Sequence, residues 1–203
     1  MKYVWIRFCF LVSTGLGSGF LIGALRSKIS GKDKRGAGGG LMGSIFALSI
    51  QCAFYLPGTV SPWTPIWWTM VTFIIGLIVI PFGARHMYAT YGPRVRHDKT
   101  ETEFDYNEIN WDEFNGSWAN SIPVYLAVWF FDLSIGASLL LLGIAFAIFR
   151  RCDDKKWWPV KKLESLWPET AFGVMIDDTV GGLLSGIYAV IAALLFILLG
   201  WLR

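Results

Sequence analysis

Apolar runs and polar connections alternate along this chain at the spacing of membrane helices. Leu41 to Tyr55, Ile66 to His86, Asp112 to Phe131, Ile135 to Phe149 and Leu183 to Gly200 are each predominantly apolar. A bilayer span needs about 20 such residues, fewer where the segment is short and local. Read as one helix, Ile122 to Phe149 is too long for an untilted span and buries Asp132 in lipid. A hairpin turning at Asp132 to Ser134 leaves that charge at a water interface, which is the cheaper arrangement. Residues 1–25 are also apolar, but Arg7 and the glycines at 15, 17, 19 and 23 weaken a straight helix. They predict an interfacial or re-entrant segment, whose irregular backbone needs protein or water to cover it. The predicted fold is therefore all-α: a polytopic membrane helix bundle of about five transmembrane helices with that N-terminal segment, forming one domain over residues 1–203.

Composition agrees. The chain is 54% hydrophobic and 16% charged, whereas soluble domains carry about 25% charged residues. Cys9, Cys52 and Cys152 are far apart and form no CxxC pair, so neither a disulfide framework nor a thiolate metal site is suggested. His86 and His97 are the only histidines, which argues against a histidine-rich metal centre. No cleavable signal peptide is expected, because Arg7 interrupts the first apolar run and glycines follow it.

The distribution of charge adds a topology. Seventeen of the eighteen Lys and Arg residues fall in the N-terminus and the connections 26–39, 85–111 and 150–182, and only Arg203 lies beyond them. The connection 57–65 and the Asp132 turn hold none. The positive-inside rule then puts the charged connections in the cytoplasm, with the N-terminus inside and the C-terminus outside. The loop 26–40 is basic and glycine-rich, suited to anionic headgroups but not a Walker motif. Residues 88–111 read as a solvated loop, since Glu101, Glu103, Asp105 and Glu108 match no calcium-loop spacing. The tryptophans and Lys161 and Lys162 of the 150–182 connection predict an amphipathic stretch on the membrane surface.

Two acidic pairs stand at the mouths of membrane segments on this same face: Asp112 and Glu113 in WDEFNG, and Asp177 and Asp178 in MIDDTVGG. Charges near lipid are costly and tend to be functional. Carboxylates are the ligands of hard cations such as magnesium, which bind one or two of them together with phosphate and water. Arg150 and Lys156 add positive charge suited to a phosphate, and Asp153 is placed to orient Lys156 or to join the ligands. Metal plus cations is what a transferring phosphoryl group requires. The same acids also fit helix N-caps or salt-bridge partners of the basic loops.

The motifs resemble those of bacterial phosphatidylglycerophosphatase A. FRRCDDKKWWPVKKLE followed by FGVMIDDTVGG is similar to that family's arginine, aspartate, lysine and proline motif with its paired aspartates, on Arg150, Asp153, Lys156, Pro159, Asp177, Asp178 and Gly182. INWDEFNG resembles its acidic pair and glycine, on Asp112, Glu113 and Gly116. STGLGSGF and GGLMGS resemble its N-terminal glycine motifs, on Gly15, Gly17, Gly19, Gly43 and Ser44. The usual prolines of the N-terminal motif are missing, a basic insertion occupies that region, and Trp157 stands where a proline is usual. These departures bear on substrate identity and leave the acidic centre intact.

The resemblance implies a magnesium-dependent phosphatase of the bacterial inner membrane, working at the cytoplasmic face. It would convert phosphatidylglycerophosphate to phosphatidylglycerol and phosphate. Asp112, Glu113, Asp177 and Asp178 are then the expected Mg2+ ligands and, with Asp153, the catalytic acids. Arg150, Lys156, Gly17, Gly19 and Ser44 are the expected substrate contacts. The partner is a membrane phospholipid, with neither nucleic acid nor an obligate protein partner implied. Water attack and an aspartyl-phosphate intermediate are both open. The alternatives are another phospholipid monophosphate as substrate, a headgroup transferase, or a non-enzymatic transporter or assembly protein. A transporter would place its charges at the midplane rather than at segment mouths.

Overall fold

The computed structural model describes residues 2–21, 24–25, 28, 38–55, 61–95, 101–102, 106, 108–168 and 170–198. Most of the basic connection 26–39, the turn 56–60, Glu103 and Asp105 of the acidic cluster, His97 and the end of the chain from 199 lie outside the described residues. The helices are α1 (Lys2–Ser13), α2 (Gly39–Tyr55), α3 (Thr64–Tyr91), α4 (Trp111–Phe131), α5 (Ile135–Lys155), α6 (Val160–Leu166) and α7 (Ala171–Leu198). A 3-10 turn, Ser18–Phe20, follows α1, and the strands β1 (Arg94–Val95) and β2 (Glu101–Thr102) form a short antiparallel ladder pairing Arg94 with Thr102 and Val95 with Glu101.

The all-α membrane bundle is borne out, and each of the five apolar segments lies largely on a helix. The count of five spans is not. Among the described residues three helices are long and apolar enough to cross a membrane: α3, α5 and α7. The physical reasons differ for the other two. The 17-residue α2 is short for a bilayer core. The 21 residues of α4 are long enough, but its first half is polar. The N-terminal segment breaks as expected: α1 has 12 residues, and Gly15, Leu16 and Gly17 then take positive φ. The region 88–111 is not all loop, since α3 runs to Tyr91 and the ladder follows. The turn after α4 is the predicted one. Asp132 ends α4 in the left-handed conformation, exposed, and the Ser134 hydroxyl caps α5 by accepting from the Ala137 N–H at 3.3 Å.

The helix α4 is central, packing against α2, α3, α5 and α7. Phe114 through Ser121 are all buried, so its first half has no lipid-facing side. That explains the polar sequence there: its serines and asparagines meet other helices rather than hydrocarbon. Apolar clusters lie on either side of this polar layer. One gathers Ile80, Ala84, Met87, Tyr106, Ile109 and Met175, and the other Val124, Tyr125, Leu141, Leu142, Ala145 and Ala189.

The tightest crossing is between α4 and α7. A Cβ on Gly182 would land on the carbonyl oxygen of Gly116, and one on Gly186 on the carbonyl oxygen of Asn120. These contacts advance together along both chains, so the two helices run parallel. Small residues spaced by four let membrane helices approach backbone to backbone, and Gly116 and Asn120 face Gly182 and Gly186 in that way. A methyl group at Gly182 must push the helices apart, an overpacking that costs about 1–3 kcal/mol in a packed core. Gly143 of α5 faces open space. We expect Gly182→Ala to melt well below the parent protein in detergent, and Gly143→Ala to melt at or above it, because alanine favours helix by about 1 kcal/mol. Equal melting of the two variants would remove the crossing from this account.

Candidate active site

One turn before the crossing glycines, each helix carries its acids. Asp112 precedes Gly116 by four residues and Asp178 precedes Gly182 by four, so each acid lies on the same helix face as the glycine that follows it. The parallel crossing therefore brings the two acidic motifs together. Asp112, Glu113 and Asp178 each present a carboxylate oxygen within 4.8 Å of the other two. The start of α7 differs from expectation here. The helix begins at Ala171, so Asp177 and Asp178 sit two turns inside it and are buried, at 4% and 5% exposure. They are not N-caps.

Three like charges this close are unfavourable: at an effective dielectric near 20, each pair at 4.8 Å costs about 3 kcal/mol. A cation among them relieves that cost. The donor set suits a hard dication, whose opposite oxygen ligands stand about 4.2 Å apart at Mg–O distances near 2.1 Å. Glu113 Oε2 is buried with no hydrogen-bond partner, an acceptor open to such an ion. The start of α2 closes over the same carboxylate, because a Cβ on Gly40 would land on Glu113 Oε1. The residues present thus fit a magnesium-type cation.

Asp177 lies elsewhere. Its Oδ2 is ion-paired with Lys156 Nζ, and it is not one of the three clustered acids. Lys156 ends α5 in the left-handed conformation, which turns its side chain back along α7. Burial works against its charge, but Asp177, Asp178 and Asp153 outweigh it and hold the Lys156 pKa well above the ordinary lysine value. This lysine remains charged at neutral pH. Arg150 and Asp153 lie on α5, which continues past the apolar run for a little under two turns of polar sequence to Lys155. Arg150 Nη1 donates to Asp153 Oδ2 at 2.9 Å and to Ser44 Oγ at 3.1 Å, and Ser44 donates in turn to Gly40 O at 3.1 Å. Ser44 therefore meets Arg150 through its side chain.

Gly17 and Gly19 are positioned beneath the site rather than in the acid cluster. A side chain on Gly19 would strike the Glu108 carbonyl, and Gly17 takes φ +84 in the turn that precedes it. Next to them, Asn110 Nδ2 donates to Ser18 Oγ at 3.1 Å and to Gly39 O at 3.2 Å. The glycine turn thereby buttresses the start of α4, immediately before Asp112.

Sequence reasoning missed Asn115. Fully buried, it donates from Nδ2 to Thr69 O at 2.8 Å and Thr72 Oγ1 at 2.7 Å, and its Oδ1 accepts from Thr179 Oγ1 at 2.6 Å. One amide thus ties α3, α4 and α7 together at the depth of the acids. The available signal was an asparagine two residues after an acidic pair inside a membrane-like helix, where polar groups rarely stand without a partner. Interhelical hydrogen bonds in membranes contribute about 1–2 kcal/mol at most. We expect Asn115→Leu and Thr179→Val each to lower unfolding stability by about 1 kcal/mol. A double-mutant cycle should show the double variant no worse than the poorer single one, whereas full additivity would mean the pair is not coupled.

A family model described as phosphatidylglycerophosphatase A matches residues 11–194. No curated protein and no solved structure matches this chain. The matched stretch contains every candidate site residue and the glycine crossing of α4 and α7 that assembles them. On that coverage the resemblance seen in the motifs is borne out, and the chain belongs to the phosphatidylglycerophosphatase A family.

Proposed function

We propose that this protein is a magnesium-dependent lipid phosphatase that hydrolyses phosphatidylglycerophosphate to phosphatidylglycerol and phosphate in the bacterial inner membrane. Family membership supports the lipid phosphatase role. The observation that carries the chemistry is the cluster of Asp112, Glu113 and Asp178, with Arg150 one hydrogen bond from the helix that covers it. In this reading α3, α5 and α7 cross the bilayer, and α2 and α4 pack beside them in the bundle. The site would then face the cytoplasm, on the side of the basic connections.

In this reading Asp112, Glu113 and Asp178 hold the metal, and Asp177 acts through Lys156. Magnesium, when bound, supplies positive charge to the phosphoryl oxygens. Arg150 binds and orients the terminal phosphate. Ser44 and Asp153 meet one of its guanidinium nitrogens, Nη1, and the planar fork has other N–H donors to offer a phosphate bidentately. Lys156 adds a second positive charge, fixed by Asp177 so that it cannot swing away. Asp153 sets the angle of Arg150 rather than reaching the metal. The lipid tails stay among the exposed apolar side chains of the bundle while the headgroup enters from the polar end.

The decisive experiment is phosphate release by the purified protein across a panel of lipid phosphates, with and without magnesium. Phosphatidylglycerophosphate should be the best substrate, with turnover lost on chelation. Asp112→Asn and Asp178→Asn should each lower turnover at least a hundredfold, of the order seen when electrostatic groups at a reacting centre are removed, while both variants remain folded. Retained metal-dependent turnover in both would sink the assignment of these acids. Preference for another lipid monophosphate would keep the chemistry and correct the substrate.

A further inference from the structure

The segment between α5 and α7 has an unusual surface. Trp157, Trp158, Leu166 and Trp167 are exposed, Trp158 at 79%. Lys161 and Lys162, on the short helix between them, are exposed as well. The segment is nevertheless fixed to the bundle at several points. Lys156, just before it, is ion-paired with Asp177. Val160 is buried, within 3.6 Å of where a side chain on Gly181 would begin. At its far end the Trp167 carbonyl fills the space left by Gly173, and the Trp167 ring packs edge-on against Phe172 with centroids 5.1 Å apart. A strap tied down this way does not expose its tryptophans through looseness.

Its position gives the exposure a meaning. It lies at the N-terminal end of α7, beside the residues that flank Asp178, where a membrane helix meets the headgroup layer. Tryptophan prefers that layer, and lysine stems lie along apolar surface while the ammonium reaches outward. The charge is also biased. Arg150 and Lys156 have acidic partners, while Arg151, Lys155, Lys161 and Lys162 remain against Asp154, Glu164 and Glu169. Each lysine or arginine near an anionic membrane surface contributes about 1 kcal/mol of attraction.

We propose that residues 157–167 form a docking strap for anionic phospholipid headgroups, seated at the mouth of the acid cluster and concentrating anionic lipid there. The occupant is lipid rather than a second copy of the chain, because exposed tryptophans at both ends of the strap flank a pair of exposed lysines, as an interface with anionic lipid requires. The docking does not depend on the phosphatase reading. Its kinetic consequence, a lower KM for anionic lipid substrate, rests on that reading.

The test uses the full chain with Cys9, Cys52 and Cys152 replaced and Trp158→Cys introduced, in lipid nanodiscs. A membrane-impermeant maleimide reports the exposure of position 158. In discs containing phosphatidylglycerol the labelling should be about tenfold slower than in discs of phosphatidylcholine alone, the scale of one to two lysine contacts with anionic lipid. Adding Lys161→Glu and Lys162→Glu should erase that difference. Equal labelling in the two discs overturns the proposal. So does protection that follows protein concentration in detergent, which would assign the strap to a second copy. In mixed micelles the Lys161→Glu/Lys162→Glu protein should show a KM about tenfold higher with kcat unchanged, and an unchanged KM overturns the kinetic consequence. Lipid-dependent protection in a protein that releases no phosphate from any lipid supports the docking and defeats the phosphatase reading instead.

Discussion

Everything at the candidate site depends on how closely α4 and α7 can approach. Gly116, Gly182 and Gly186 remove the side chains that would hold the two backbones apart. The parallel direction of the helices then decides what lies next to the contact. One turn earlier on each helix is an acid, so the crossing that binds the helices also gathers the carboxylates. In water such a gathering would scatter. Here the packing of neighbouring helices against α4 fixes it, and Asn115 sets the rotation of three helices about the same level.

The electrostatics complete the arrangement. Two cations, Arg150 and Lys156, stand among five acids, Asp112, Glu113, Asp153, Asp177 and Asp178, leaving three negative charges in excess when all are ionised. The cations are not spread evenly. Each is committed to one acid, Arg150 to Asp153 and Lys156 to Asp177. The excess therefore falls on the three acids of the cluster, where a dication and then a phosphate could share it. Removing one partner of a buried ion pair leaves a charge uncompensated, so Asp153 and Asp177 matter for where the cations point as well as for stability.

Much of this was legible in the residues. The apolar runs marked the helices, Asp132 with Ser134 marked the hairpin, and the acidic pairs with their trailing glycines marked the site. Three things were not. Hydropathy could not show that the first half of α4, Phe114 to Ser121, is buried against other helices, so its polar residues were counted as part of a span. The start of α7 was hidden because Ala171 to Ile176 carries too little apolar contrast with the connection before it, which made Asp177 and Asp178 look like a helix mouth. Adjacent acids were also read as equivalent, although neighbours on a helix point about 100° apart. That rotation sends Asp178 to the cluster and Asp177 to Lys156. Asn115 required the fold, since its partners lie on α3 and α7, far away in the chain.

The central claim is that Asp112, Glu113 and Asp178 form one cation site built across two helices. Manganese, a paramagnetic substitute for magnesium, tests it without relying on turnover. Electron paramagnetic resonance of the purified protein titrated with Mn2+ should show one saturable bound ion. Glu113→Gln and Asp178→Asn should each weaken that binding, though the two residues lie on different helices, while Asp177→Asn should leave it largely intact. Binding that survives loss of both Glu113 and Asp178, or that disappears only with Asp177, would contradict the account.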